Sequence, residues 1–374
     1  MFDRIFSVKP LLSDENINTI LLRITCLFWL IAKLIGWKMY TTYRLFPTAP
    51  IFGWLDNVPS SVHTVLFLLS VLLIIILFIK PVNKYFLIGL LAADLLLCLP
   101  DQNRWQPWEY QYLFIIFIFI ANVNRQKIIP VAVSFLLAFT YIYSGLGKLN
   151  MGFLETTWTT TILKHFFRAP ASIANNHWLY FAGYGVGSIE LIAGIGLLFS
   201  KTKKTSAVVL ILMHVFVLLL LGPLGLRFNK VIWPWNLAMI LYLYVIFVKK
   251  NDIAITFRPL IAGWNLLVIL CWGILPSLNF IGYWDNYLSL SMYSGKIPKM
   301  IVCVSDTGNC KPLSGFFYKS NATKICSGEM KINIQNWAMT ETNVPVYPEF
   351  RVYKTIREKL KKQYPLAGFS FYYY

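Results

Sequence analysis

The chain has 374 residues, 57% of them hydrophobic and only 13% charged, with a mean hydropathy of +0.59. A soluble domain carries about 25% charged residues, so the composition excludes one and indicates a polytopic membrane protein. The formal net charge of +18 would suggest a nucleic-acid partner in a soluble chain. Here the basic residues lie mainly between apolar runs, where they orient helices, and no nucleic acid is expected.

Residues Met1 to Asn16 carry Asp3, Arg4, Lys9, Asp14 and Glu15 and contain no short apolar core with a cleavage site. The first membrane helix is therefore expected to act as the targeting signal. Apolar runs predict helices at about 17–37, 61–79, 84–99, 110–123, 128–148, 179–200, 206–226, 232–249 and 257–280, about nine spans with the fourth short. The connections with Lys80 and Lys84, with Arg125 and Lys127, with Lys201, Lys203 and Lys204, and with Lys249, Lys250 and Arg258 are short and basic. They alternate with longer, aromatic-rich connections around residues 38–60, 100–109, 149–178 and 224–232. Basic loops stay cytoplasmic, so the N-terminus is expected there too, and the long connections and everything after residue 281 face outward. In a bacterium this means the inner membrane, with a periplasmic C-terminal domain.

From Gly282 the composition changes. Tyr287 to Tyr293 alternates with a period of two and predicts a strand, Met300 to Val304 a second and Lys331 to Ile334 a third. Glu349 to Lys362 has the pattern of a short basic amphipathic helix. The expected fold class is an all-α polytopic membrane bundle over residues 1–281, followed by a small extramembrane α/β domain over residues 282–374. Twelve Lys and Arg against six Asp and Glu in that domain suit anionic lipid headgroups. Cys303, Cys310 and Cys326 lie on the expected oxidising side, so one disulfide and one leftover thiol are expected, the pair being unreadable from spacing. The six cysteines form no CxxC pair or zinc pattern, and no metal site is expected. Asn321-Ala-Thr323 fits a glycosylation sequon.

Arg23, Lys33, Asp94, Lys148, Glu190 and His214 interrupt the apolar runs, and such residues mark function by default. Lys33 and Arg23 lie toward helix ends, from which long cationic side chains reach the interface. Asp94 and Glu190 cannot reach so far and are expected to pair with Lys33, Arg23 or Lys148, or to stay protonated. Purely structural pairing is the alternative. His214 sits mid-helix among apolar residues, either as a hydrogen-bonded packing residue or as an acid–base or quinone-contacting group. The Asp101 to Tyr112 segment, with Arg104, Trp105, Trp108 and Glu109, is expected on the outward side. So is the turn with Trp233, Pro234, Trp235 and Asn236. Phe153 to Trp178 suits a helix lying in the interface. These elements predict an aromatic-walled pocket open to the outer leaflet. Its most informative member is Lys148, in Ser144-Gly-Leu-Gly-Lys-Leu-Asn150 at the close of an apolar helix.

That segment resembles the Gly-Leu-x-Lys-Leu of the transmembrane domain shared by vitamin K-dependent γ-carboxylase and its bacterial relatives, the HTTM family. His214 followed by Gly222, Pro234 and Met239 is similar to the family's His, Ile-Gly-x-Phe-Pro and Met block, and Asn103 to Leu113 resembles a third. The resemblance covers roughly residues 15–280. It implies a quinone or quinol cofactor, an outward-facing intramembrane site, and Lys148 as the base that deprotonates the hydroquinone. A lysine serves as a base once it has lost its proton, which a desolvated setting favours. The third block's histidine is replaced by Trp108, with Glu109 beside it, and the carboxylase's large lumenal region is absent. Glutamate carboxylation is therefore not expected to carry over whole.

Two functions are weighed. One is a quinone- or lipid-dependent enzyme with Lys148 as base and His214 and Glu109 assisting, and with Trp105, Trp108, Arg104, Trp233, Trp235, Asn236, Glu190 and Asp94 as binding residues. The other is a non-enzymatic membrane scaffold or assembly factor whose C-terminal domain binds another cell-envelope protein. Transport ranks below both, because no broken helices recur in matching halves.

Overall fold

The computed structural model describes residues 14–81, 83–250, 253–319, 325–326 and 329–374. The Asn321 sequon and the charged residues before Asp14 lie outside them. Every predicted apolar run is a helix: α1 (Asp14–Ile35), α2 (Ser60–Ile79), α3 (Lys84–Cys98), α4 (Pro107–Ala121) and α5 (Ile128–Leu146). After a π-wound helix α6 (Phe153–Phe166) come α7 (His177–Gly196), α8 (Lys203–Leu221), α9 (Ile232–Lys249) and α10 (Gly263–Ile281). Among the described residues seven of these are long and apolar enough to cross a membrane, whereas α3 and α4 have 15 residues each. Nearly every side chain of α4 is buried, including Trp108, Glu109, Gln111 and Tyr112. A helix apolar all round belongs at the centre of a bundle, and α4 sits there against α1, α3 and α5.

The two sets of connections gather at opposite ends. At the basic end, Asn18 Nδ2 donates to Gln126 O (3.0 Å), Lys203 Nζ to Ile253 O (2.7 Å), and Asn122 and Asn265 exchange amide bonds of 2.7 and 2.9 Å. At the other end, Gln102 N donates to Ala49 O (2.7 Å), joining the first two long connections. The C-terminal domain is seated on them: Tyr347 N donates to Asn103 Oδ1 (3.0 Å), and Gln106 Nε2 to Pro345 O (2.8 Å). Its core of Val302, Ile332, Trp337, Val352, Tyr353 and Ile356 takes in Phe46 and Ala49 from the 36–58 connection.

That domain holds β1 (Met300–Val304), β2 (Met330–Asn333), α11 (Ile334–Thr342), α12 (Phe350–Gln363) and β3 (Phe369–Tyr373). The sheet order is β2-β1-β3, antiparallel throughout, with Cys303 opposite Lys331 on one side and Ser370 on the other. The strand expected at 287–293 is not one. Asn286 accepts from Ser291 N (3.0 Å), and Leu290 and Tyr293 adopt left-handed φ of 59° and 56°. This winds the segment into turns that bury Tyr287 and Leu290, so its alternation reflects packing rather than a sheet edge. The place beside β1 is taken instead by the aromatic stretch Phe369 to Tyr373.

Cys303 and Cys326 form the disulfide, tying β1 to the segment before β2, and Cys310 is buried and free. Burial pushes the Cys310 thiol above its ordinary range, as does the nearby Asp306. The bridge closes 23 residues. Replacing both Cys303 and Cys326 by alanine is expected to cost about 3 kcal/mol, by the loop-entropy argument. Faster hydrogen exchange confined to residues 300–333 checks this; exchange accelerated equally in the membrane helices would contradict it.

Candidate functional site

The helices α5 and α7 cross unusually closely, because both present glycine. A Cβ on Gly145 would lie 2.5 Å from Leu191 N and 2.8 Å from Gly187 O, and one on Gly194 would lie 2.8 Å from Ile142 N. Small residues at such a crossing let two membrane helices pack backbone to backbone. One turn beyond Gly145 the contact places Lys148 against Glu190, Nζ to Oε2 at 2.6 Å. Lys148 Nζ also donates to Ser144 Oγ (2.6 Å) and Ser144 O (3.2 Å). Two oxygen-bearing side chains and a carbonyl thus hold one ammonium, whose side chain is 14% exposed.

Tyr141, Ser144 and Lys148 follow one another at helical spacings of three and four, so they share a face. From α8 the same face meets His214, which is buried among apolar neighbours. Asn236 Nδ2 donates to Ile232 O (2.8 Å), which turns Asn236 Oδ1 toward the ring at 2.6 Å from His214 Nδ1. The proton on that pair must sit on Nδ1, leaving Nε2 as the acceptor for the Tyr141 hydroxyl at 2.8 Å. An oriented Tyr–His–Asn chain and a Lys–Glu pair therefore line one cavity of about 220 Å³. Its remaining wall is mostly apolar: Phe153, Ile162, Met213, Phe216, Val217, Leu220 and Met239. Trp235 closes one side and donates Nε1–H to Gln111 Oε1 (3.0 Å). Leu290, Met292 and Tyr293 reach in from the C-terminal region.

The other residues singled out from the sequence lie elsewhere. Glu109 does not join Lys148 and His214. It accepts from Lys33 Nζ (2.9 Å), Trp29 Nε1 (2.8 Å) and the Tyr40 hydroxyl (2.8 Å) in a separate, fully buried cluster. Asp94 is there too, bound by Lys33 Nζ (2.7 Å) and by Ser70 Oγ (2.9 Å). Lys33 thus does not reach for the interface as expected. The chain turns at Gly36 and folds Trp37 to Tyr40 back over the helix end, so the ammonium meets carboxylates and the Tyr40 ring at 4.1 Å. Arg23 remains exposed, donating to Phe78 O (3.3 Å).

Arg104 is fully buried as a clamp on the loop, donating to Met39 O (2.9 Å), Leu97 O (2.6 Å) and His63 Nδ1 (2.9 Å). Arg44 pairs with Asp101 beside it. Burial alone would push the Asp101 carboxyl up, but the two guanidinium groups outweigh it and hold it below the usual range. Burial takes the Arg104 guanidinium down to about 10. Trp233 anchors the 222–231 turn by donating to Leu221 O (3.0 Å). Trp105 lines an apolar recess between α3, α4 and α10, away from Lys148, and Trp108 lines a chamber adjoining the Lys148 cavity.

Of the residues picked from sequence, the structure brings together Lys148, Glu190, His214, Trp235 and Asn236. Tyr141 and Ser144 belong to the segment that marks Lys148 but are not predicted as site residues, although their spacing puts them on its helical face. Thr157, which lines the same cavity from α6, gave no comparable signal. No family model, curated protein or solved structure matches this chain, so the geometry of the cavity is what a functional reading must rest on.

Proposed function

We propose that this chain is an integral membrane enzyme acting on a lipid-soluble substrate, a quinol or another lipid, with Lys148 as the base. The observation that carries the reading is the meeting of two oriented proton-holding pairs on one mostly apolar cavity among membrane-length helices. A substrate entering such a cavity loses its water, and Lys148 becomes a base there once its ammonium has passed a proton to the Glu190 carboxylate at 2.6 Å, which leaves a neutral amine to take the substrate's proton. His214 Nε2 and the Tyr141 hydroxyl form the second arm, positioned to hold or exchange a proton with a substrate oxygen. Glu190 therefore takes the assisting part that sequence reasoning gave to Glu109. The resemblance to the HTTM and γ-carboxylase family agrees with this assignment for Lys148.

The cavity end of the bundle is read as outward-facing, periplasmic in a bacterial inner membrane, with nine crossings. The short basic connections at the opposite end support this, and so does the Cys303–Cys326 disulfide, since disulfides persist in oxidising compartments. The scaffold reading is the weaker one. The C-terminal domain applies its surface to the bundle's own connections and contributes Leu290, Met292 and Tyr293 to the cavity wall, as a structural part of this site would.

The test compares cells producing the wild type with cells producing Lys148→Met, by untargeted mass spectrometry of membrane quinones and lipids. A species that depends on the wild type should fall by roughly 10²–10⁴-fold in the variant, the usual contribution of a positioned base. An unchanged profile from a variant of normal thermal stability would overturn the assignment.

A further inference from the structure

A second chamber, of about 190 Å³, adjoins the Lys148 cavity where the bundle meets the C-terminal domain. The two share Thr157, Thr161, Phe228, Met292 and Tyr293 as wall. Their chemistry differs. The second is lined by Gln106, Trp108, Asn229 and Lys299. Three of its lining side chains carry a buried polar atom with no partner: Gln106 Oε1, Trp108 Nε1 and Asn229 Oδ1. These residues are 1%, 0% and 4% exposed. Gln106 gives its two amide protons to Asn103 O and Pro345 O, both at 2.8 Å, so its Oε1 is fixed as an acceptor. Asn229 Nδ2 donates to the Tyr293 hydroxyl (2.9 Å), which leaves its Oδ1 open. Orphaned polar atoms destabilise a fold unless something supplies the missing bonds, and three on the wall of one chamber call for a common partner.

One donor and two acceptors select the partner's chemistry. A carboxylate or phosphate would satisfy the Trp108 N–H and meet the Lys299 ammonium on the same wall, but it would face the two open carbonyl oxygens of Gln106 and Asn229. An ammonium would satisfy the oxygens and leave Trp108 unmet. Hydroxyl groups both donate and accept, so a small diol or polyol answers all three. A space of this volume holds roughly six water-sized groups, at about 30 Å³ each. The partition between the chambers is itself unusual. Tyr293 and Leu290 hold left-handed backbones, and Thr157 Oγ1 fastens the segment by donating to Tyr293 O (2.8 Å). Sparsely populated backbone conformations of this kind cluster at ligand clamps.

We propose that the second chamber binds the small, neutral, hydroxyl-bearing head of an amphiphile whose apolar part occupies the Lys148 cavity. The inference rests on the first cavity receiving a lipid-soluble substrate, and it adds that the substrate is bipartite, with its head held beyond Tyr293.

The test is competition binding on the full-length protein in amphipol, with tritiated 1-monooleoylglycerol as probe and methyl oleate and oleoyl lysophosphatidate as competitors. The wild type should hold the monoglyceride about tenfold tighter than methyl oleate, as expected for a few satisfied hydrogen bonds. Trp108→Phe and, separately, Asn229→Leu should shrink that preference to about twofold while methyl oleate still binds. Equal affinity for the two neutral probes in the wild type overturns the head site and leaves Lys148 chemistry standing. Stronger binding of lysophosphatidate overturns the neutral class in favour of an anion met by Lys299. Binding of none of the three overturns the lipid reading of both chambers.

Discussion

Lys33→Met is expected to destabilise the protein by about 3–5 kcal/mol, the usual cost of removing one partner from a buried ion pair. The cluster holds one ammonium against two carboxylates, with all three side chains fully buried. With the lysine gone, Asp94 retains Ser70 as a donor, and Glu109 retains Trp29 and Tyr40. Two carboxyl groups would then face each other in a dry interior with the cation between them removed. The companion variant Lys33→Met, Asp94→Leu, Glu109→Gln removes both charges but keeps an acceptor for Trp29 and Tyr40. It should recover most of the loss, because a buried ion cluster and a well-packed neutral one are often close in stability. Thermal unfolding in detergent distinguishes the outcomes. A single variant that melts with the wild type would mean the cluster carries no net charge to compensate.

Gly145→Val should separate the Lys148–Glu190 pair and lower the proposed activity by about 10²-fold. The atoms its Cβ would meet are the backbone of Leu191 and Gly187, which cannot swing aside as a side chain can. The helices must part, and a displacement of about 1 Å at a reacting group costs on the order of 10²-fold in rate. Overpacking of this kind also costs about 1–3 kcal/mol. Gly185, on the same helix α7, has nothing within 4 Å of an added Cβ. Gly185→Ala is the control, expected to be neutral or to stabilise by up to about 1 kcal/mol through helix propensity. Should Gly145→Val match that control in both activity and melting temperature, the glycine crossing would not be what sets the pair.

How much was readable in advance follows from the range of each signal. Apolar runs of about 15–20 residues identify helices by themselves, so each of the nine predicted runs coincides with a helix, and polar residues within them stand out. That is how Lys148, Glu190 and His214 came to notice. Their partners were hidden in ordinary composition: a tyrosine and a serine in an apolar helix look like packing until the facing helix is known. Lys33 misled because its place near a helix end suggests an exit to water, and only the fold-back of Trp37 to Tyr40 removes that exit. Glu109 lies on the face of α4 that meets Lys33, Trp29 and Tyr40 rather than Lys148. Met300 to Val304 and Lys331 to Ile334 read as strands and fall on β1 and β2, whereas the assignment of 287–293 fails in the same way. Residues 287–293 alternate because they pack into turns, whereas Phe369 to Tyr373 reads as an aromatic tail until β1 supplies its neighbour. The second chamber draws on six separate stretches of chain, and no local pattern marks it.

The wall formed by Leu290, Met292 and Tyr293 has a consequence for biogenesis. The helices that carry Lys148, Glu190 and His214 are synthesised well before the segment that closes their cavity. That segment is held in turn by a domain whose sheet is completed only when residues 369–373 join β1. Until then the charged groups of α5 and α7 stand at an open cleft, in contact with lipid, water or an insertase. The cavity is therefore a late product of assembly, and a nascent chain halted after α10 would have its helices inserted and its site unmade.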